Sequence, residues 1–401
     1  MLLDNDKKYL VGVSGGPDSI FLINKLILEF NKNNFIVAVV NYNYRYDSTV
    51  DENIVRDFCK LNNLRYEILQ TKWNNIGNFE AWAREKRYKW FSDLTKKNNL
   101  EGTIIAHNMN DNVETFLLQL ERKSIPDHFG LKEHQKIFDT KIFRPILNYK
   151  KSEIINFLNN KKILYALDYT NEDIKYKRNN IRKNVLEEDF EKYLKQINEK
   201  NNELEKNKTK ANNFIKQKNI KNEILIENDF KKLTIVELKL LLFNFFKINN
   251  KFNLIKNRKH SVISEIINRI LNGKKKYWEI SIDSTFLIYD FGKLKFSNHS
   301  LFDNRFTFND IENIKIQKLK NIFVKYITQL SNYEITNDYF KYKKYAKIAN
   351  KNLNKIFKDN KINYEIRSKL IILIDKNTDK IVKIIDIDTF NDIQIKQFYL
   401  K

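Results

Sequence analysis

Cysteine, proline and glycine are all scarce in this chain. Its 401 residues include one Cys, three Pro and eight Gly. A single cysteine, Cys59, excludes an internal disulfide framework and a cysteine-rich metal site. The longest apolar stretch, Leu238 to Phe246, contains Lys239 and Asn244 and is far too short to span a bilayer. Because the first eight residues also lack the apolar core of a signal peptide, we expect a cytoplasmic protein with no membrane partner.

The chain carries a large excess of positive charge. Lys and Arg total 73 against 50 Asp and Glu, which gives a formal net charge of +23. Such a charge attracts polyanions, and a nucleic acid is the first partner to expect. The enrichment in Lys, Asn, Ile, Phe and Tyr is also what AT-rich coding produces without any function. Charge alone therefore gives only a modest preference for RNA or DNA.

Two of the eight glycines are adjacent, in a segment that joins a predicted strand to a predicted helix. The segment is Ser14, Gly15, Gly16, Pro17, Asp18 and Ser19. Adjacent glycines let the backbone approach a ligand closely, and the first amides of a helix attract an anion such as pyrophosphate. Asp18 stands where a Walker loop would have Lys, so the loop is not typical of γ-phosphate transfer. The alternative, a tight strand-to-helix turn, is disfavoured because glycine is used so sparingly elsewhere.

Strand and helix patterns alternate from the N-terminus to about residue 165. Continuous apolar runs such as residues 35–40 are typical of strands buried on both faces of a sheet. The alternation predicts a doubly wound parallel sheet of the α/β class, which binds ligands at the carboxyl ends of its strands. Ser14, Tyr42 and His107 follow three of these strands, so we expect three loops to meet in one crevice.

Two carboxylates stand three residues apart at a predicted helix start. Asp111 and Glu114 would lie on one helix face near the carboxyl edge of the sheet. There they could hold a cation, either Mg²⁺ beside phosphates or the ammonium group of a substrate. The alternative is ordinary helix capping and compensation of the helix dipole.

Arginines recur on two predicted helix faces. Arg84 and Arg87 share a stripe on which a guanidinium could neutralise charge on phosphate oxygens, although Arg84 could also pair with Glu80. Arg178 and Arg182 share a second face that suits phosphate and base contacts or simply faces solvent.

The order and spacing of these motifs resemble those of the tRNA(Ile)-lysidine synthetase family of PP-loop ATP pyrophosphatases. The resemblance covers the first 185 residues closely. Besides the residues named above, the matching positions are Asn41, Arg45, Ala83, Tyr88, Thr115, 144–147, Asp168, Thr170, Asn171, Asp173, Tyr176, Asn179 and Ile181. Several positions depart from the family pattern. Asn108, Asn110 and Asn112 replace its second His, first Asp and Gln, residues 42–44 read Tyr-Asn-Tyr in place of His-Gly-Leu, and Lys123 replaces a Gly.

This resemblance implies ATP-dependent ligation of free L-lysine to the wobble cytidine of the CAU anticodon of tRNA(Ile). ATP is the co-substrate and Mg²⁺ its cofactor, with Asp18 as a metal ligand. The implied catalytic residues are Asp18, Arg87, His107, Asp111 and Glu114. The loop from Ser14 to Ser19 would bind ATP, and the implied lysine- or tRNA-binding residues are Asp111, Glu114, Arg84, Tyr176, Arg178 and Arg182.

We expect three domains along the chain: a PP-loop catalytic domain over 1–188, a helical and β middle domain over 189–300, and an α+β tRNA-binding domain over 301–401. In the middle domain the sequence predicts a helix from Asp189 to Lys210 and a capping box of Thr234 and Glu237. Two alternatives remain open: another PP-loop tRNA-modifying enzyme such as a thiolase, and a non-catalytic RNA-binding PP-loop protein. The sequence does not fix the oligomeric state, and a homodimer is compatible with it.

Overall fold

The computed structural model describes residues 3–44, 48–166, 181, 184–255, 259–303, 305–308, 321, 332–343, 347–348, 351–386 and 388. The chain divides into two compact units, Met1–Lys206 and Asn207–Lys401. The expected division into three domains is a finer one and stays a prediction. Within the described ranges, no helix has both the length and the apolar character needed to cross a membrane.

The first unit is a six-stranded sheet flanked by helices. Its strands are β1 (Tyr9–Val13), β2 (Phe35–Asn41), β3 (Arg65–Gln70), β4 (Gly102–Ile105), β5 (His134–Ile137) and β6 (Thr140–Phe143). Its helices are α1 (Pro17–Glu29), α2 (Ser48–Leu61), α3 (Phe79–Lys97), α4 (Met109–Glu121) and α5 (Lys151–Asn160), and α6 (Phe190–Gln217) begins in this unit. The strand order is β3-β2-β1-β4-β6-β5.

The sheet confirms the predicted doubly wound parallel arrangement. The pairs β2–β3, β1–β2, β1–β4 and β4–β6 are all parallel. The edge strand β5 is antiparallel to β6, and the sequence analysis did not predict this hairpin. Its turn residues Phe138 and Asp139 have φ values of 44° and 65°, the left-handed pair found in tight hairpin turns.

Helices bury the sheet on both faces. Residues from α1, α2 and α5, such as Leu22, Val55 and Leu158, pack with alternate residues of β1 and β2 in one apolar cluster. Residues of α3, including Tyr88 and Phe91, pack on the opposite face of the sheet. The double burial explains why β2 reads as a continuous apolar run rather than an alternating one.

Successive strands are added to the sheet on one side of β1 and then on its other side. Strands β2 and β3 extend the sheet on one side of β1, and β4 pairs with its other side. In doubly wound sheets this switch point opens a crevice outside the carboxyl ends of the two central strands. The loops that follow β1 and β4 therefore border the same crevice.

The second unit contains two further sheets. The four-stranded sheet β7-β10-β9-β8 is antiparallel and contains β7 (Glu223–Leu225), β8 (Tyr277–Ile282), β9 (Thr285–Asp290) and β10 (Lys293–Ser297). The six-stranded sheet β11-β12-β15-β16-β13-β14 contains β11 (Thr307–Phe308), β12 (Tyr333–Thr336), β13 (Lys347–Ile348), β14 (Lys351–Asn352), β15 (Leu370–Asp375) and β16 (Lys380–Asp386).

The helices of the second unit include the predicted apolar one. They are α7 (Asn228–Lys231), α8 (Ile235–Ile248), α9 (Phe252–Ile255), α10 (Lys259–Asn272), α11 (Tyr339–Tyr342), α12 (Leu353–Asp359) and α13 (Tyr364–Ser368). The predicted capping box is present, because Thr234 and Glu237 bond reciprocally at the start of α8. Most of α8 is buried, as expected for a helix that is apolar on most of its faces.

Candidate active site

The glycine-rich loop after β1 has the backbone that an anion site requires. Gly15 has a φ of +87°, and a Cβ there would lie 2.8 Å from the backbone oxygen of Asp51. Gly16 is the N-cap of α1 and provides no side-chain hydrogen bond to the helix amides, while Pro17 occupies the first turn. The amide groups at the start of α1 are therefore not capped by the N-cap side chain, which suits a phosphate ligand.

Ser19 stabilises this loop from within. Its buried hydroxyl donates to the carbonyl oxygen of Gly16 at 2.8 Å and accepts from the amide of Ser14 at 3.3 Å. The carbonyl oxygen of Gly15 accepts from the amide of Ala166 at 2.9 Å. These contacts fix the loop between β1 and α1 before any ligand binds.

The carboxylate of Asp18 contacts two residues from distant parts of the chain. Its Oδ2 lies 2.6 Å from the Lys151 ammonium, and its Oδ1 accepts from the Asn108 side-chain amide at 2.9 Å. The sequence analysis did not identify Lys151, which lies at the start of α5. The motif at residues 144–147 precedes it, but no local pattern indicates its contact with Asp18.

Asn108 also joins Asp18 to the start of α4. Its side-chain oxygen accepts from the Asp111 amide at 3.0 Å, and the Asp111 carboxylate accepts from the Asn108 amide at 3.2 Å. This reciprocal pair is a capping box, so the alternative role expected for Asp111 is present. Asn108, which departs from the family pattern, thus caps α4 and orients Asp18 at the same time.

A cavity of about 390 Å³ opens beside these groups. Three carboxylates line it, those of Asp18, Asp111 and Glu114, together with the Lys151 ammonium. The other described lining residues are Asn108, Asn110, Val113, Ile181, Val185 and Phe190. Glu114 is only 5% exposed, so its charge acts where little water screens it. Among the lining residues that the structure describes, carboxylates outnumber cations, and this part of the cavity therefore suits a cationic group.

Asn110 takes part in a polar network at the rim of the cavity. Its amide nitrogen donates to Glu187 Oε1 at 2.9 Å, and its oxygen accepts from the Lys151 amide at 2.9 Å. Glu187 also accepts from the amide and the hydroxyl of Ser152. Burial alone would raise the pKa of Glu187, but the bonds from Ser152 and Asn110 and the charge of Lys150 lower it below its usual value. Sequence reasoning missed Glu187 as well.

His107 is held by a buried arginine. Arg144 Nε donates to His107 Nδ1 at 2.8 Å, and Arg144 Nη1 donates to the Lys132 carbonyl oxygen at 2.6 Å. Burial lowers the pKa of Arg144. Because Nδ1 accepts a hydrogen bond, the neutral imidazole carries its proton on Nε2. The described lining of the cavity does not include His107.

The two arginines of α3 lie over an aromatic ring. The guanidinium groups of Arg84 and Arg87 are 4.7 and 5.4 Å from the Tyr88 ring centroid. Arg84 is exposed and Arg87 is half-buried. Neither belongs to the described lining of the cavity. Their predicted role in phosphate neutralisation stays a prediction.

Some predicted site residues lie outside the described residues. These are Arg45, Tyr176, Arg178 and Arg182. Among the residues that the structure does describe, no group of three or more His, Cys, Asp or Glu is arranged to hold a metal ion. Mg²⁺ is usually bound by one or two carboxylates together with phosphate oxygens and water, so a single carboxylate such as Asp18 fits this ion without such a group.

Comparison with known proteins identifies a family. Residues 2–189 match the PP-loop domain family. The chain is 40% identical over 376 residues to a tRNA(Ile)-lysidine synthase of Mycoplasma mycoides subsp. mycoides, covering 91% of this chain and 93% of that protein. It is 34% identical over 395 residues to a tRNA(Ile)-lysidine synthase of Mesoplasma florum, covering 96% and 98% of the two.

Among solved structures, the chain shows a distant likeness to a U34-tRNA thiolase of Methanococcus maripaludis. That match has 17% identity and a TM-score of 0.40, and it covers 49% of this chain and 74% of the other. It is too weak to bear on function. The extensive sequence identity, together with a PP-loop whose geometry suits an anion, shows that the chain belongs to the tRNA(Ile)-lysidine synthase family.

Proposed function

We propose that this chain ligates L-lysine to the wobble cytidine of tRNA(Ile) with a CAU anticodon, using ATP and releasing AMP and diphosphate. The modification would switch codon recognition from AUG to AUA. The observation that carries the proposal is the 40% identity to a tRNA(Ile)-lysidine synthase over 93% of that protein. The arrangement of Asp18, Asp111 and Glu114 around one cavity supports it.

The first step would adenylate the cytosine. The C2 oxygen attacks the α-phosphorus of ATP, the bond to the β-phosphate oxygen breaks, and diphosphate leaves. The amides at the start of α1 would hold the phosphates, since the loop admits a ligand close to Gly15 and Gly16. Asp18 would hold Mg²⁺, which would offset phosphate charge.

The second step would use the carboxylates of α4. One amine of lysine, in its neutral form, attacks C2 of the adenylated cytosine while the other stays an ammonium. A C–N bond forms, the attacking nitrogen releases one proton to water, the C2–O bond breaks, and AMP leaves with the oxygen. Asp111 and Glu114 would hold the substrate through an ammonium group by charge-assisted hydrogen bonds. An alkylammonium already lies in the cavity, because Lys151 pairs with Asp18 there.

Cationic groups outside the cavity would act on the nucleotide and the tRNA. Arg87 would stabilise negative charge that develops on phosphate oxygens, and Arg84 would contact the tRNA backbone. His107, fixed by Arg144, would present its Nε2–H as a hydrogen-bond donor. We also propose that the tRNA is bound by Tyr176, Arg178 and Arg182.

A thiolase reaction is the less favoured alternative because this chain lacks an accessible thiol. Cys59, the only cysteine, lies in α2 and its side chain is fully buried in the apolar cluster between this helix and the sheet. Burial raises the pKa of its thiol to about 12, so almost none of it is thiolate at neutral pH. Sulfur transfer through a protein persulfide therefore has no candidate residue.

The proposal is tested by incubating the protein with a CAU-anticodon tRNA(Ile) transcript, ATP and radiolabelled lysine. We expect label to enter the tRNA with AMP formed in equal amount, and neither product without ATP. The same tRNA with uridine at the wobble position is the control and should stay unlabelled. If another amine or a sulfur donor reacts while lysine does not, the assignment is wrong.

The lysine site is tested by two isosteric substitutions on α4. Asp111→Asn keeps an oxygen that can cap the helix but loses the charge. Glu114→Gln removes the charge at the buried position and keeps the shape of the side chain. Losing a charge-assisted contact costs about 1.5–3 kcal/mol, so we expect lysine use to weaken about ten- to hundredfold. Glu121→Gln, the same change two turns further along α4, is the matched control. An unchanged lysine KM and rate in both variants would leave Asp111 with its capping role alone.

A further inference from the structure

Five aromatic side chains cluster at the carboxyl ends of β2 and β3. They are Tyr42 and Tyr44 after β2, Trp73 after β3, and Phe79 and Trp82 in the first turn of α3. Neighbouring ring centroids are separated by 4.0 to 6.2 Å. We call this cluster the aromatic shelf. It lies on the same edge of the sheet as the glycine-rich loop.

The aromatic shelf leaves one of its rings, Tyr44, exposed to solvent. Tyr44 is 57% exposed although its ring stacks on Phe79 at 4.0 Å with an interplanar angle of 15°. Ile76 in the adjoining loop is 74% exposed. The other four rings are half-buried, so Tyr44 is the ring that the shelf exposes, and an exposed ring stacked on a half-buried aromatic cluster suits a binding surface.

The charge around the shelf favours a polyanion. From Lys72 to Lys89 the chain has five cationic residues (Lys72, Arg84, Lys86, Arg87 and Lys89) against two carboxylates (Glu80 and Glu85), an excess of three. Most of these charges lie in α3, and Tyr42 is hydrogen-bonded to this helix, because its hydroxyl donates to the Ala83 carbonyl oxygen at 3.1 Å. Flat rings beside cations are what unpaired nucleotides bind.

We propose that the aromatic shelf stacks unpaired bases of the tRNA anticodon loop while the wobble cytidine is turned into the cavity. This rests on the proposed function, which requires that cytidine to leave its stack. The stacking would replace part of the base stacking that the loop loses. Positions 42–44 read Tyr-Asn-Tyr where the family pattern has His-Gly-Leu, so two of the five rings come from this chain's own sequence.

The test uses a CAU anticodon stem-loop RNA whose central anticodon adenosine is replaced by fluorescent 2-aminopurine. Wild-type protein should quench this fluorescence by stacking. Tyr44→Leu keeps an apolar group but removes the ring, and we expect the Kd to rise about five- to hundredfold with the quench reduced, since stacking on one ring is worth that much. Tyr44→Phe should bind within about twofold of wild type.

The matched control is Phe138→Leu. Phe138 is also exposed, at 51%, and also stacks on a ring, that of Tyr88, but it lies in the β5–β6 turn at the opposite edge of the sheet. We expect no change in Kd. Trp73→Leu is a second shelf variant and should also weaken binding.

Two further measurements separate stacking from charge and from misfolding. The dependence of log Kd on log salt should keep its slope in Tyr44→Leu, because no phosphate contact is lost. The KM for ATP should also stay unchanged. Wild-type affinity and quench in both Tyr44→Leu and Trp73→Leu, or an equal loss in Phe138→Leu, would overturn the proposal.

The outcome for the shelf is distinguishable from the outcome for the ligase activity. If the wild-type protein transfers no lysine yet binds and quenches the stem-loop through Tyr44, the proposed function is wrong and the shelf is supported as an RNA site. If lysine transfer occurs and Tyr44→Leu binds the RNA as well as wild type, only the shelf is refuted.

Discussion

Substituting Asn110 by the Asp that is typical of the family should destabilise this protein. The Asn110 amide lies 2.9 Å from Glu187 Oε1, so an aspartate would place two carboxylates in contact. At about 3 Å and an effective dielectric constant of about 20, two full charges would repel by roughly 5–6 kcal/mol. The pair avoids this cost by keeping one proton.

The cost of keeping that proton sets the magnitude. Raising one carboxyl pKa from about 4 to above 7 costs about 4 kcal/mol at pH 7, at about 1.4 kcal/mol per pKa unit. A shared proton restores one hydrogen bond, so we expect a net loss of about 2–4 kcal/mol at pH 7. For a unit of this size the thermal midpoint would fall by roughly 4–16 °C.

The pH dependence has a definite sign. In Asn110→Asp the folded-state pKa of the pair is raised above its unfolded value, so stability relative to wild type is lost as pH rises. The loss of folding free energy relative to wild type should become about 2 kcal/mol smaller when the pH is lowered from 7 to 5.5. Thermal unfolding followed by tryptophan fluorescence at several pH values measures it, since Trp73, Trp82 and Trp90 all lie in the first unit.

Two variants test the reasoning. Asn110→Ala removes the hydrogen bond without adding charge, so its loss of roughly 1.5–3 kcal/mol should not vary between pH 5.5 and 8. The double variant Asn110→Asp, Glu187→Gln lets the new amide donate to the new carboxylate and should recover most of the stability at pH 7. A loss in Asn110→Asp that does not change with pH, or no loss at all, would refute the role of charge.

The remaining predictions concern the loop, the cavity, the acid stability and the tRNA. Gly15→Ala should lower ATP affinity and the thermal midpoint together, because its Cβ meets the Asp51 backbone and its φ is +87°; isothermal titration and thermal unfolding measure both. Lys151→Met should slow diphosphate release about ten- to hundredfold because it loses the positive charge beside Asp18. Lys151→Arg keeps the charge and should release diphosphate at nearly the wild-type rate. Equal rates of diphosphate release in the two variants would refute this reasoning. Burial alone would raise the pKa of Glu52, but hydrogen bonds from Asn41, Arg56 and Gln70 lower it below its usual value. The stability that this carboxylate contributes is therefore present above about pH 4.5 and is lost as the pH falls further. Glu52→Gln should reduce the fall in the thermal midpoint at acid pH. Affinity for tRNA should fall steeply with salt, and a flat response in filter binding would show that the positive charge is compositional.

The centre of the first unit could be predicted well because its strands β1, β2 and β4 are buried on both faces. The apolar run over residues 35–40, predicted as a buried strand, agrees with β2 (Phe35–Asn41) to within one residue. The β5–β6 hairpin was missed because four-residue strands such as His134–Ile137 carry too little apolar pattern. Helix α6 runs to Gln217 rather than Lys210, because buried Ala211 and Phe214 extend its apolar stripe.

The candidate site could be predicted only where fold topology brings motifs together. Asp18, Asp111 and Glu114 follow strands that the alternating pattern places at one sheet edge, and they share the cavity. Their chemical roles stay predictions. Lys151 and Glu187 were missed because their partners Asp18 and Asn110 lie 133 and 77 residues away in sequence. No local periodicity encodes such contacts.

The planar side-chain amide of Asn108 is shared between the phosphate loop and the carboxylate helix. One end donates to Asp18 and the other accepts from the Asp111 amide, so the amide cannot rotate without disturbing both. A nucleotide that draws Asp18 away would therefore change the position of Asp111. If Asp18 contacts the nucleotide and Asp111 the lysine as proposed, linkage requires that any change ATP makes in lysine affinity equal, as a factor, the change lysine makes in ATP affinity. The affinities for ATP and lysine would thus be coupled through one side-chain amide, even in the absence of tRNA.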